Sequence, residues 1–290
     1  GALPYLWEQL RCPVYATPFA AAALRHKTRG RRGVLPAPLI EVTPGDRSLI
    51  GPFSVEWIPV THSTPETCAL CISVGQTRIL HTADWKIDAA PVVGPAWSDK
   101  RFEALGVEGV DAVICDSTNA LQAGRSVTEG RVAQGLSQVI QRCEGRVVVG
   151  CFSSNIARIQ TLSQIAADTG RYLSVLGRSA AGMANCAQQV GLFPSQFKPI
   201  HAEHLGYLPP REVLAIATGS QGESGAALHR LVAQTHPHLS LDAGDTVILS
   251  SRTIPGNEAS VARLIEGFRA RGIHVLEADS SDIPLHASGH

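Results

Sequence analysis

The chain has no excess of charge, no long apolar run and no ordered set of cysteines, and each lack narrows what it can be. Its 25 basic residues are matched by 25 acidic ones, so overall charge offers nucleic acid no attraction and any such partner must use local patches. Uninterrupted apolar stretches stay far below the roughly eighteen residues that span a bilayer, and no charged segment followed by an apolar one opens the chain. The expectation is a protein with no membrane partner. Seven cysteines stand singly apart from Cys68 and Cys71, and an odd, irregularly spaced set does not make a secreted disulfide framework. A reducing cytoplasm fits that usage. Internal repeats and low-complexity segments are lacking too.

What is there is enough apolar material for two domain-sized cores: 290 residues, 44% of them hydrophobic. β-branched runs ending in polar residues, "VEWIPVTH", "CALCISV", "TRILHTAD" and "DAVICDS", predict strands. "RVAQGLSQVIQRC", "NIARIQTLSQIAADTG" and "NEASVARLIEGFRARG" space apolar residues by three and four and predict helices, the last stopped by Gly272. Between them "RVVVGCF", "RYLSVLG", "EVLAIATGS" and "DTVILSSR" predict further strands. That alternation implies α/β architecture with parallel pairing in the middle of the chain. Gly1 leads directly into the apolar helical run "ALPYLWEQL", which reads as a chain cut into. The basic run "RHKTRGRR", residues 25–32, reads first as a solvated loop and second as a nucleic-acid contact.

Polar residues gather where the strands end. In open α/β sheets the carboxyl ends of strands form the ligand crevice, so His62, Asp84, Asp116, "FSSN" and "TGSQGE" are expected to converge. Imidazole and carboxylate are the donors of zinc and manganese sites, although a lone His after a strand is more often a hydrogen-bonded structural residue. "GCFSSNIAR" follows a strand and opens a helix, so Ser153, Ser154, Asn155 and the first backbone N–H groups can hold a phosphate, with Arg158 one turn on; plain N-capping is the bland reading. Ser220 and Gln221 lie in a glycine-bearing turn that can cradle another. His286 and Ser288 are two apart and share a face if extended. Cys68 and Cys71 read as buried, inert thiols, since no second pair completes four thiolates.

Together "THSTPE", "HTADWKID", "CDSTNA", "GCFSSNIARIQ", "GRS", "TGSQGE", "SSRTIPGNE" and "HASGH" come in the order and approximate spacing of the bacterial ribonuclease J branch of the metallo-β-lactamase/β-CASP nucleases, which the chain resembles over nearly its whole length. The resemblance implies a truncated metallo-β-lactamase αββα fold carrying an inserted α/β β-CASP domain. It places residues 1–123 and 283–290 in the first and 124–282 in the second. It makes His62 and Asp84 metal ligands, Asp84 bridging two divalent ions, most naturally Zn with Mn or Mg as alternatives. The family has glycine before that carboxylate, where this chain has Ala83. His81 and Asp88 become supports of the ligands. Asp116 and His290 become the catalytic carboxylate and imidazole, His290 protonating the leaving 3′ oxygen. Ser153, Ser154, Asn155, Arg158, Ser220, Gln221, His286 and Ser288 become contacts to RNA phosphate.

The activity so implied is metal-dependent hydrolysis of RNA phosphodiester bonds, 5′-to-3′ exonucleolytic and endonucleolytic, in RNA maturation and decay. Its partner is single-stranded RNA with a 5′ monophosphate, and a homodimer or tetramer is open for the complete protein. A non-catalytic RNA-binding relative and a β-CASP hydrolase acting on DNA remain as alternatives. The family's His-x-His-x-Asp-His motif is expected before Gly1 and its last metal-binding histidine after His290, so residues 1–290 alone are expected to be inactive.

Overall fold

The computed structural model describes residues 2–28, 35–193, 197–278 and 282–288. Cα packing divides the chain into a first unit, the residues through Ser126 together with Cys186–Leu192, and a second, Val127–Asn185 and Phe193–Ser288. Among the described residues no helix is long and apolar enough to cross a membrane.

The first unit opens with α1 (Leu3–Leu10), whose Pro4 sits in the first turn where its missing N–H is no loss. Trp7 is fully buried and donates its indole N–H to the Cys12 carbonyl at 2.8 Å. β1 (Val14–Ala16) and β2 (Leu39–Glu41) pair in parallel, with α2 (Pro18–Thr28) between them in sequence. An antiparallel meander follows: β3 (Arg47–Ile50), β4 (Phe53–Pro59), β5 (Cys68–Val74) and β6 (Thr77–His81). Gly51 and Gly75, at φ +58° and +57°, turn two of its hairpins as tight loops require. α3 (Lys100–Glu108) then leads to β7 (Ala112–Ile114), which runs parallel to β6 and closes a five-stranded sheet in the order β3-β4-β5-β6-β7. Ile58, Val60, Ala69, Cys71, Leu80 and Leu105 form the core beneath it, with Trp85, Trp97 and Phe102 at its margin. Arg101 of α3 clamps Glu56 of β4 at 2.5 and 2.8 Å, and that guanidinium holds the Glu56 carboxyl below its usual range. Burial pushes the Cys68 thiol up to about 11 and raises Cys71 as well, so neither is a thiolate at neutral pH.

The second unit alternates helix and strand: α4 (Glu129–Arg142), β8 (Val147–Gly150), α5 (Ile156–Thr169), β9 (Tyr172–Leu176), α6 (Arg178–Gln189, grouped with the first unit from Cys186 on), β10 (Val213–Ala217), α7 (Ala227–Val232), β11 (Thr246–Leu249), α8 (Glu258–Arg269) and β12 (His274–Glu277). The five strands are all parallel, in the order β12-β11-β8-β10-β9. β8, β10 and β11 are buried along their whole length, the pattern of strands covered on both faces, which is why they read as continuous apolar runs. Thr128 caps α4 by accepting from the Arg131 N–H, and Gly170, at φ +69°, ends α5 in the left-handed conformation. The helix expected to run to Gly272 ends at Arg269, and Gly272, at φ +72°, turns the chain into β12 instead. Among the described residues the meander sheet and the parallel sheet are separate, and none runs continuously through the Asp116 and Val149 regions. Residues 283–288, assigned to the first domain on sequence, pack within the second unit: a Cβ at Gly135 of α4 would stand 2.2 Å from the Pro284 carbonyl oxygen.

Candidate functional site

In the first unit, hydrogen bonds knit together the segments that carry His62, Asp84 and Asp116. Thr61 and Lys86 form an antiparallel bridge, and the Thr61 hydroxyl both donates to the Lys86 carbonyl and accepts from the Asp88 N–H at 3.2 Å. That bridge sets His62 opposite Trp85, one residue from Asp84. On the other side, Thr82 donates its N–H to Ile114 O at 2.9 Å, and its hydroxyl accepts the Asp116 N–H at 3.1 Å. Asp116 then folds its own loop, Oδ1 accepting from the Thr118 N–H at 2.9 Å and hydroxyl at 2.6 Å. Beneath the segment lies a buried ion pair, Lys86 Nζ to Asp88 Oδ2 at 3.2 Å, and Asp88 Oδ1 accepts from the Ala90 N–H at 2.9 Å. The Asp88 carboxylate thus holds the Lys86 ammonium and the Ala90 N–H, while its backbone N–H ties the segment to the Thr61 hydroxyl. Thr61 and Thr82 do the linking, and the sequence signal for both was only their place beside a strand end.

His81 and His62 each accept a backbone N–H at Nδ1, from Ala83 at 3.1 Å and from Thr64 at 3.3 Å. A neutral imidazole accepting at Nδ1 carries its proton at Nε2, so His62 must exchange this contact before that nitrogen can bind a cation. Among the described residues no three His, Cys, Asp or Glu side chains are placed to share one ion. A zinc site takes three or four protein donors, so His62 and the exposed Asp84 do not by themselves fit a metal centre. His290 lies outside the described residues, as does the part of the basic run from residue 29 on.

Ala83 has φ +54°, in the left-handed region that an L side chain enters at a penalty of about 1 kcal/mol. Replacing Ala83 by glycine is therefore expected to raise stability by up to about 0.5 kcal/mol, after the extra freedom of glycine in the unfolded chain is subtracted. Urea unfolding of the two proteins checks this, and a less stable variant would show that the methyl group packs usefully.

In the second unit the chain leaves β8 toward β9 and β10 on one side of the sheet, and leaves the adjacent β11 toward β12 on the other. The carboxyl ends of β8 and β11 therefore flank a topological switch point, the place where such sheets bind ligands. Ser153 and Ser154 follow β8 and are partly exposed. Ser250 follows β11, donates its N–H to Gly150 O at 2.8 Å, and its carbonyl lies 3.2 Å from His286 Nδ1. A carbonyl only accepts, so that ring nitrogen carries the proton. Leu285 and Ala287 are buried while His286 and Ser288 are partly exposed, the alternation of an extended segment that turns His286 and Ser288 to one side.

Four of the residues expected to contact phosphate are buried in this structure. Asn155 is buried and caps α5, its side-chain oxygen accepting from the Arg158 N–H at 3.0 Å. Arg158 is 0% exposed: Nη2 pairs with Glu129 at 3.0 Å, and Nη1 serves the Ser250 carbonyl at 3.1 Å, the Ser250 hydroxyl and the Leu285 carbonyl at 3.2 Å. Gln221 is buried too, its amide donating to Arg252 O at 2.9 Å and accepting from the Ile254 N–H at 2.8 Å, while its own N–H is taken by Glu223 Oε2 at 3.0 Å. Ser220 is buried, its Cβ 3.6 Å from where a side chain on Gly150 would begin. The glycine turn serves packing as well: Gly222, at φ +76°, faces the Ser260 backbone of α8 so closely that a Cβ would lie 2.7 Å from it. Glu129 and Ser250 were missed. An acidic residue in the first turn of a helix reads as a dipole partner, and a serine after a strand reads as a turn.

Residues 144–268 match the family described as ribonuclease J, beta-CASP domain. Ribonuclease J of Sinorhizobium meliloti is 42% identical over 100% of this chain and 51% of its own length. Ribonuclease J 1 of Streptococcus pyogenes is 36% identical over 100% and 51%, and ribonuclease J of Thermus thermophilus 36% identical over 100% and 52%. The chain spans about half the length of these relatives. Among solved structures, a protein of unknown function from Enterococcus faecalis superposes with a TM-score of 0.65 at 14% identity, over 96% of this chain and 64% of the other, a likeness of fold.

Proposed function

This chain belongs to the ribonuclease J family, with a β-CASP domain in its second unit, and on that premise we propose that the complete protein is a cytoplasmic, metal-dependent ribonuclease. It hydrolyses phosphodiester bonds of single-stranded RNA, entering at a 5′ monophosphate and also cutting internally, in RNA maturation and decay. The observation that supports this reading best is the rim of the parallel sheet, where partly exposed Ser153, Ser154, His286 and Ser288 gather around the switch point between β8 and β11. Hydroxyls and an imidazole there suit a phosphate oxygen, and none of them reads a base. In the first unit His62 and Asp84 are two cation donors, zinc being the preferred ion. The reading requires further donors from outside the described residues, because two do not hold an ion. Asp116 is assigned to orient the imidazole of His290.

The test incubates the complete protein with 5′-monophosphorylated RNA, the same RNA with a 5′ hydroxyl, and single-stranded DNA of matching sequence. Mononucleotides released from the monophosphorylated RNA, and stopped by a chelator, are expected. Binding without cleavage marks a non-catalytic relative, and preference for DNA marks the DNA-acting branch.

A further inference from the structure

Arg158 is a costly residue to bury. A guanidinium taken out of water loses several kcal/mol of solvation, and a buried ion pair often stabilises a fold no more than an apolar pair does. Its value here lies in what the fork holds. One arm is fixed by the Glu129 carboxylate of α4, and the other reaches the Ser250 carbonyl and hydroxyl after β11 and the Leu285 carbonyl. The Ser250 hydroxyl donates to that same Leu285 carbonyl, and the Ser250 carbonyl lies against His286 Nδ1. Leu285 immediately precedes His286, and Ser288 follows two residues on. The segment is pressed from a second direction by α4, where Gly135 leaves no room for a Cβ beside the Pro284 carbonyl. A guanidinium on one side and a missing side chain on the other therefore fix where residues 286–288 present their polar groups.

We propose that Arg158, held by Glu129, is a positioning residue that sets the 285–288 segment in register to bind an RNA phosphate through His286 and Ser288. The inference rests on the reading of those two residues as phosphate ligands. Lysine keeps the charge but not the planar fork, so it can serve Glu129 or Leu285 but not both with the same geometry. Gly135→Ala displaces the segment from the other face and leaves Arg158 untouched.

The experiment measures kcat and KM of the complete protein on 5′-monophosphorylated single-stranded RNA for Arg158→Lys, Gly135→Ala, the His286→Ala/Ser288→Ala pair, and Arg158→Lys in the background of that pair. Thermal unfolding shows which variants are folded. Each single change is expected to raise KM roughly tenfold or more with kcat held within about threefold, the loss of a hydrogen bond to a charged group. A variant that merely unfolds lowers kcat instead, through a smaller active fraction. In the His286→Ala/Ser288→Ala background, Arg158→Lys should change KM by less than about threefold, because the contacts it positions are already gone. Full multiplication of the two effects overturns the proposal, as does an unchanged KM in folded Arg158→Lys. If Arg158→Lys does not fold, Gly135→Ala in the same background decides. If the His286→Ala/Ser288→Ala pair itself leaves KM unchanged on an RNA that is cleaved, the phosphate reading fails and this inference falls with it. If that pair raises KM while Arg158→Lys and Gly135→Ala do not, only the positioning role falls.

Discussion

Asp84→Ala in the complete protein is expected to lower kcat on RNA by at least about a thousandfold while RNA binding changes by no more than a few-fold. Asp84 is exposed in the loop after β6, and among the described residues no hydrogen bond or ion pair depends on its carboxylate, so its removal should leave the melting temperature within about a degree or two. A large effect on turnover with a silent effect on stability is the signature of a functional group. The physical reason is its chemistry: an anionic oxygen beside a phosphodiester is repulsive unless a cation lies between them, and the proposed reading of Asp84 as a donor to such a cation gives its carboxylate that role. Ser154→Ala and Ser288→Ala should behave differently, raising KM roughly tenfold at nearly constant kcat, because each removes one neutral donor to an oxygen that keeps its other contacts. Steady-state kinetics with thermal unfolding of the same three preparations separates the cases. Equal losses of kcat in all three would dissolve the division of roles, and an active Asp84→Ala protein would remove Asp84 from the chemistry.

Much of this was legible in the sequence because burial on both faces of a parallel sheet writes itself as an unbroken β-branched run. "VVV" in β8 and "VLAIA" in β10 read as strands and are buried throughout, and the change from closely spaced strands to helix–strand alternation falls near the division at Ser126. β12, with the pattern "HVLE", was not legible, since four residues without alternation are too short a signal; its place is set by pairing with β11. The site was half legible for a different reason. Polar residues after strand ends stand out in the sequence, but sequence does not say which way a side chain turns at the end of a strand. Asn155 turns inward to cap α5, Arg158 to serve the Ser250 and Leu285 carbonyls, and Gln221 to serve the Arg252 carbonyl and the Ile254 N–H, while Ser153, Ser154, His286 and Ser288 stay partly exposed. The inward set builds the rim and the outward set is offered to a ligand. Ala83 was legible as a departure from the family pattern, and its positive φ shows what the usual glycine is for.

The same distinction gives the strongest expectation for stability. Lys86 and Asp88 have side chains only 3% and 1% exposed, and their charged atoms lie 3.2 Å apart. Asp88→Ala deprives the buried ammonium of this carboxylate and should destabilise the first unit by about 3–5 kcal/mol. Loss of the Ala90 N–H contact adds to the effect, while the tie between the Asp88 backbone N–H and the Thr61 hydroxyl is kept by alanine. Because the pair is buried, added salt should change the difference little, in contrast to the screening expected at an exposed pair such as Arg25 and Glu41. A Lys86→Met/Asp88→Leu double variant removes both charges together and should recover most of the loss, since no charge is then left to desolvate. All four tryptophans of residues 1–290, Trp7, Trp57, Trp85 and Trp97, fall in the first unit, so their fluorescence during urea unfolding follows that unit. RNA cleavage by folded Asp88→Ala should fall by about ten- to a hundredfold, less than for Asp84→Ala, because Asp88 acts only by holding the loop that carries Asp84. If Asp88→Ala unfolds at the parental urea midpoint, the pair contributes nothing to the fold, and any fall in cleavage must come from contact with the reacting groups themselves.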